Sequence, residues 1–317
     1  MKEFALQVWQ DECAMPFAKC QCPSLIHPPA SKPKRRESMA VTVAAGFYFN
    51  GGIILCADTQ ETIEHSKTWT PKLRLEPAAM RGKDSPDDLM LAIAGAGDGP
   101  FIDKLTERAW ESIFDAQSFD EACSSVEESI KSTHEEYGHI FQPGYLPYVE
   151  IVYGIKMQGK SKLFRAYGPI VNEQKGYTAI GKGYYMANFL ASKMHQRYLS
   201  GSQAVLLAAY ILFQCQEHVD GCGGDSHIAI LNETGNSHLS NPWKIDFATG
   251  QLADVDNKVS TILLSAPDYT MSNENFHSTL GHLAEQIMTI RQAGEKFSNK
   301  WKDFAEDVNK RIGTGES

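Results

Sequence analysis

Apolar and polar positions begin to alternate at residue 42. In T-V-A-A-G-F-Y-F-N-G-G-I-I-L-C-A-D (42–58), Val43, Ala45, Phe47 and Phe49 share one face of an extended strand. Asn50-Gly51-Gly52 tolerates the positive φ of a tight turn, and Ile53-Ile54-Leu55 resumes an apolar run. The pattern predicts a β-hairpin whose two ends, Thr42 and Asp58, lie close together at one edge of a sheet. A hydroxyl beside a buried carboxylate is a candidate active site. A sheet hairpin with a polar residue at each end is the plainer reading of the same residues.

Further along, Leu73 and Leu75 alternate with Lys72 and Arg74 as in a short strand with a basic face, and Leu89 to Ala94 reads as a buried strand running into a glycine-rich turn. Gly99-Pro100 opens a helix with proline in its first turn, with Phe101, Leu105, Ala109 and Ile113 along one face. A second helix starts at Ser118, where Glu121 completes a capping-box pattern, and runs to about Tyr137. Residues 148–156 and 161–167 predict another hairpin, and a short strand reaches Ile180. Two more helices follow, one bearing Met186, Phe189, Leu190 and Met194, the next capped by Ser202 and apolar nearly all round. Asp220-Gly-Cys-Gly-Gly224 ends that helix, and His227–Leu231 returns as a strand.

Helices grouped in pairs between antiparallel hairpins imply two sheets packed together with helix pairs on both outer faces, because each apolar face needs a partner. Past residue 275, Leu283, Ile287, Ile290, Phe297, Trp301, Phe304 and Val308 fall at helical spacing among charged residues, an amphipathic helix or helix pair. Such a tail packs either on its own domain or against a neighbouring subunit. Residues 1–38, broken by five prolines and carrying K-P-K-R-R at 32–36, read as a mobile extension, a propeptide, or sequence upstream of a true start at Met39. The expected divisions are therefore 1–38, a folded domain over 39–265, and a helical tail over 266–317.

Composition narrows the class. With 317 residues, 42% hydrophobic and 22% charged, the chain is a globular protein with a substantial core. No run reaches the roughly 18 apolar residues of a membrane helix, so no membrane partner is expected. A net charge of −9 argues against a dedicated nucleic-acid surface. Seven scattered cysteines suggest reduced thiols and a cytoplasmic setting. Cys13, Cys20, Cys22 and His27 lack the C-x2-C spacing of a zinc knuckle, and no metal or other cofactor is expected. Cys222 and His227 are close in sequence but sit in a glycine turn and at a strand start, which need not bring their side chains together.

Residues 42 to about 232 resemble a proteasome β subunit, and also the peptidase of the bacterial two-component proteasome-like protease. That family begins its mature chain with threonine and this hairpin, ending in an A-D-[TS] matched by Ala57-Asp58-Thr59. Lys72-Leu73 fits its lysine if the intervening loop is two residues shorter, with Arg74 the ungapped competitor. Ala94-Gly95-Ala96-Gly97-Asp98, Gly181-Lys182-Gly183 and Asp220 through Gly224 are similar to its three later motifs.

The resemblance implies an α+β fold of the four-layer αββα sandwich type, an N-terminal-nucleophile hydrolase, with the amphipathic helical tail as an extension. It implies a threonine-type peptidase working inside an oligomeric ring of like subunits on unfolded polypeptide. No Walker loop is present, so unfolding would need a separate ATPase partner. Thr42 would attack and its freed α-amine, of a type that titrates near ~7.7–8.0, would take the proton. Lys72 would stabilise charge on the hydroxyl oxygen, Asp58 would hold Lys72, the Gly95 N–H would donate to the oxyanion, and Asp220 would orient the amine or a water. Three positions depart from the family: Val41 precedes the threonine where self-processing relatives have glycine, Lys182 replaces a serine, and Cys222 or Gly223 replaces a second. These departures keep open a non-catalytic structural subunit, and the unread pocket keeps open an amidohydrolase acting on a small amide.

Overall fold

A computed structural model describes residues 42–292 apart from 64–65, 78–87, 139–146, 235–236, 240–241 and 269. All of these belong to the unit Ser38–Ser317. The extension 1–38, the Val41 position, the cysteine group around Cys20 and the last part of the tail lie outside the described residues.

The first sheet is built on the predicted hairpin, β1 (Val43–Phe49) and β2 (Gly52–Asp58), which pair from Ala44↔Ala57 to Phe49↔Gly52. Strands β10 (Tyr177–Gly181), β11 (Ser226–Asn232) and β12 (His238–Leu239) complete it in the order β10-β1-β2-β11-β12. The second sheet, β5-β6-β7-β8-β9, comprises Leu73–Pro77, Met90–Gly97, Val149–Met157, Lys160–Tyr167 and Ile170–Gln174. Every neighbouring pair in both sheets is antiparallel. A separate two-stranded ribbon, β3 (Gln60–Ile63) with β4 (Ser66–Trp69), occupies a stretch that the sequence pattern reads as loop.

Alternation in β1 and β2 decides which side chains meet which layer. Val43, Ala45, Phe47, Phe49, Ile54 and Cys56 join a cluster with helices α3 (Tyr184–Met194) and α4 (Gly201–His218). Ala44, Ile53, Leu55 and Ala57 face the other way and pack with Leu73, Ala92, Ala94, Val152 and Leu163 of the second sheet. That sheet's opposite face, including Leu91, Ile93, Ile151 and Tyr153, meets α1 (Gly99–Ser112) and α2 (Phe119–Gly138). A one-residue slip of the first hairpin would exchange the two sets, so burial on both faces fixes its register.

Helix termini follow their local chemistry. The Asp98 side chain accepts from the Phe101 N–H at the start of α1, with Pro100 in the first turn. The cap of helix α4 lies two residues before the expected one: Ser200, not Ser202, caps it, with Gln203 completing a capping box. In α3 the buried positions are Ala187, Leu190 and Ala191, while Phe189 and Met194 are exposed, so the apolar face there is set by small residues. A long helix absent from the sequence reading, α5 (Pro242–Ser265), follows β12, and residues 273–292 form α6. Among the described residues no helix is long and apolar enough to cross a membrane.

Leu55 is fully buried between the two sheets. Leu55→Ala is expected to lower the unfolding free energy by about 2–5 kcal/mol, because the surrounding layers cannot close the cavity. Ile170→Ala, at an exposed position of β9, should change it by less than about 0.5 kcal/mol. Urea titrations followed by tryptophan fluorescence measure both.

Candidate active site

Thr42 immediately precedes β1 and Asp58 is the last residue of β2, so the hairpin closes its two ends on each other. The Thr42 hydroxyl donates to Asp58 Oδ1, which also accepts from the Val43 N–H at 3.1 Å. Asp58 Oδ2 accepts from the Gly223 N–H at 3.0 Å. Lys72, one residue before β5, reaches across from the second sheet. Its Nζ donates to Thr42 Oγ1, to the Gln60 carbonyl, and to Asp58 Oδ1 at 3.0 Å.

The bonding of Lys72 constrains the chemistry. An ammonium has three N–H donors and no lone pair. Three acceptors surround Nζ, so in this arrangement Lys72 acts as a positive charge on the hydroxyl oxygen rather than as a proton acceptor. Asp58 has no solvent exposure and the Lys72 side chain only 12%, which makes this a buried pair with its remaining lone pairs satisfied.

Arg74, the competitor for the lysine's role, lies elsewhere: it bonds Asp103 of α1 through an exposed ion pair. Alternation alone would put Lys72 and Arg74, two residues apart, on one face. They part because Lys72 stands before the strand, where Leu73↔Ala94 is the first ladder position.

Gly95 is not in a turn. Strand β6 continues past it to Gly97 because β7 pairs along its full length, Gly95↔Ile151 through Gly97↔Val149. The turn into α1 begins at Gly97, whose φ is +133°. Gly95 is buried under Ile102, where a Cβ would come within 2.4 Å of Ile102 Cγ2. The register that pairs Leu73 with Ala94 places Lys72 and Gly95 at the next step of the same ladder.

Asp220 is exposed and contributes none of the hydrogen bonds around Thr42. The turn after α4 delivers its backbone instead. Gln60 N–H donates to the Gly223 carbonyl at 2.9 Å, Gln60 Nε2 to the Gly221 carbonyl at 3.1 Å, and the Asp225 N–H to Thr59 Oγ1 at 2.7 Å. The late glycine motif thus grips β2's end and the residues after it, and the Gly223 N–H occupies the acceptor site on Asp58.

The Gly181-Lys182-Gly183 motif reaches Thr42 through its backbone, and one contributor behind it, Glu150, was not legible in the sequence. Gly183 N–H donates to the Thr42 carbonyl at 3.1 Å, and Gly181, at φ +77°, approaches so closely that a Cβ would lie 2.5 Å from that same carbonyl oxygen. Behind this turn, buried Glu150 accepts from the Gly181 N–H at 3.0 Å and from Arg165 Nη2 at 2.6 Å. Glu150 comes from β7 amid apolar residues, so its spacing alone signals only a strand.

Cys222 is buried beside Gly183, and burial pushes its thiol up to about 12. No hydrogen bond joins it to His227, whose Nδ1 is buried without a hydrogen-bond partner. A cysteine nucleophile is therefore unsupported, since the thiolate is the reactive form.

Solved structures of the same fold include Anbu from Hyphomicrobium sp. strain MC1, with a TM-score of 0.56 at 14% identity over 69% of this chain and 97% of that one. Anbu (ancestral beta-subunit) from Yersinia bercovieri gives 0.56 at 13%, over 73% and 100%. Anbu from Pseudomonas aeruginosa, described in a helical assembly of the Anbu complex, gives 0.56 at 12%, over 69% and 96%. No protein-family model matches the chain, and no curated protein matches it. These findings correct the resemblance drawn from sequence: the similar structures are Anbu proteins, not 20S proteasome β subunits or the two-component bacterial peptidase. At such identity they establish a shared fold.

Asp58→Ala leaves Lys72 without its buried counter-charge and is expected to cost about 3–5 kcal/mol in unfolding free energy. Arg74→Ala removes an exposed pair and should cost no more than about 1 kcal/mol. Chemical denaturation of the two variants separates them. Stability should also respond to acid. Burial lowers His134 and His227 below the ordinary histidine value of 6.5, so the unfolded chain takes protons that the folded one refuses. Stability therefore falls as pH drops through about 6.5. The urea midpoint at pH 5.5 should lie below that at pH 7.5, with less of a difference in the His134→Gln, His227→Gln double variant.

Proposed function

We propose that this chain is a threonine hydrolase of the N-terminal-nucleophile type that assembles with copies of itself. The observation that carries the proposal is the three-way bonding of Thr42 Oγ1, Lys72 Nζ and buried Asp58. A hydroxyl is a weak nucleophile at neutral pH and needs an adjacent base. With every Lys72 N–H engaged, that base is the Thr42 α-amine, freed by cleavage of the Val41–Thr42 bond. The three stacked apolar clusters support the four-layer αββα arrangement that such an enzyme uses.

In the proposed reaction the amine takes the Oγ1 proton as Oγ1 attacks a peptide carbonyl carbon. The tetrahedral oxyanion collapses, the C–N bond breaks, and the amine passes its proton to the departing amine. An ester on Thr42 remains. Water then attacks it with the amine again as base, releasing a carboxylic acid and restoring the hydroxyl. Lys72 offsets charge on the oxygen throughout, and Gly95, one ladder step away, supplies the oxyanion N–H. Donors of that kind contribute on the order of 3–4 kcal/mol. Asp58 fixes Lys72, and the Gly181–Gly183 turn fixes the Thr42 carbonyl. Asp220 is left to the outer rim of the site. Peptide is the proposed substrate, and the buried free thiols Cys56, Cys215 and Cys222 support a reducing, cytoplasmic setting.

The departures at Lys182 and at Cys222 or Gly223, where the resemblance drawn from sequence has supporting serines, favour one other reading, a structural subunit with the same fold and no turnover. An electrophile that captures a threonine hydroxyl and α-amine together, such as a peptide α′,β′-epoxyketone, distinguishes the two. The hydrolase reading expects intact mass to begin at Thr42 and to gain one adduct, with Lys72→Ala lowering the labelling rate at least about 10²-fold. Only longer chains, unlabelled, would leave the structural subunit standing.

A further inference from the structure

We infer that Glu150 is a positioning residue for the proposed reaction: through the Gly181 turn it sets the direction in which Thr42 presents its hydroxyl. The inference rests on the hydrolase reading of the site and gives a part in that reaction to a side chain outside the group of Thr42, Lys72 and Asp58.

Alternation along β7 puts Glu150 where an apolar residue is expected. Val149, Ile151, Tyr153, Ile155 and Met157 join the cluster with α1 and α2. Val152 packs towards the first sheet, and a Cβ on Gly154 would meet Leu231 and Leu55. Glu150 shares the phase of those two, so it stands on the inner face of the second sheet, only 4% exposed. A carboxylate there is costly unless its oxygens are occupied. Oε2 accepts from the Gly181 N–H at 3.0 Å and Oε1 from Arg165 Nη2 at 2.6 Å. The Arg165 side chain is 33% exposed and can turn to water, whereas Gly181 is buried. The bond to Gly181 is therefore the one with no substitute.

Contact between Gly181 and Thr42 converts that bond into a constraint on the nucleophile. Gly181 closes on Thr42 so tightly that a Cβ would lie 2.5 Å from the Thr42 carbonyl oxygen and 2.8 Å from its Cγ2. Cγ2 and Oγ1 share one carbon, so a single torsion turns both, and a β-branched side chain has few staggered states. With Cγ2 stopped by Gly181, Oγ1 is directed at Lys72 and Asp58, which it bonds.

Strand β7 extends the constraint to the other side of the reaction. Ala96 pairs with Glu150 and Gly95 with Ile151, so the strand that grips the Gly181 turn also sets the register of Gly95. Nucleophile and proposed oxyanion donor are thus both referred to one stretch of β7. A misplacement of about 1 Å between such groups can cost about 10²-fold in rate.

Two substitutions separate reach from charge. Glu150→Gln keeps the length and offers an amide oxygen to the Gly181 N–H, while Arg165 turns outward. Glu150→Asp keeps the charge but is one methylene short. Labelling of the purified chain by the peptide α′,β′-epoxyketone gives a maximal rate and a half-saturating concentration, normalised to the adducts counted by intact mass at completion. We expect Glu150→Gln to react within about threefold of the native rate and Glu150→Asp to fall about 10- to 10²-fold, both at unchanged half-saturation. In a Thr42→Ser background there is no Cγ2 for Gly181 to stop, and the aspartate should cost at most about threefold. A carboxylate kept only for its ion pair predicts the reverse order, with aspartate near native and glutamine slower. That order, equal rates for the two, or an undiminished aspartate loss in the serine background overturns the inference alone, since the native chain still takes the label. A native chain that takes no label overturns it together with the hydrolase reading.

Discussion

A carboxylate with no contact with water organises this molecule. Leaving Asp58 charged in the interior would cost several kcal/mol unless its oxygens are satisfied, and four donors converge on them. They come from three separate parts of the chain: the hydroxyl of Thr42 with the adjoining backbone of Val43, the side chain of Lys72 and the backbone of Gly223. The requirement links the start of β1, the end of β2, the approach to β5 of the opposite sheet and the turn after α4. Packing between the sheets brings these segments near one another. The buried charge then fixes their relative positions to hydrogen-bond tolerance, which apolar contacts do not.

The same constraint is met largely without nearby side-chain hydroxyls other than that of Thr42. The backbone N–H groups of Gly181, Gly183 and Gly223 are all engaged: one on Glu150, one on the Thr42 carbonyl and one on Asp58. Main-chain donors thus act beside the side chains of Asp58 and Lys72, which bond the Thr42 hydroxyl itself. Glu150 plays for Gly181 the part that Asp58 plays for Lys72, a buried acceptor with a basic partner, here Arg165. Asp58 bonds the threonine directly, and Glu150 holds the Gly181 turn that abuts its carbonyl.

The sequence made the first hairpin legible because both its faces are buried and its turn residues are glycines, so pattern and packing agree. Thr42, Asp58 and Lys72 could be placed for the same reason: they sit at the ends of strongly patterned strands. Gly95 lies within a strand rather than a turn, and Asp220 is exposed, because motif position does not report where a strand stops or which way a turn side chain points. β6 outlasts its apolar run since β7 keeps pairing with it. The ribbon of β3 and β4 is mostly polar in sequence and, among the described residues, pairs with itself, so no apolar alternation marks it. Helix α5 escaped notice because Gly250 interrupts its pattern and because, among its described residues, Ile245 and Leu252 are the buried ones.

The last of these omissions bears on how the fold is extended. A domain that needs α5 for its core needs it only as far as Leu252, where Ile245 and Leu252 finish the cluster against α4. The Anbu structures are matched over 96–100% of their lengths by 69–73% of this chain, so this chain has sequence to spare beyond the shared fold. The helix beyond Leu252 is nevertheless tied back to the domain: Asp256 accepts from Tyr210 Oη at 2.9 Å and from Gln214 Nε2, both on α4, and Ile290 of α6 packs on the same cluster. Polar bonds and one apolar contact therefore hold against the domain a segment whose other side chains stay largely at the surface.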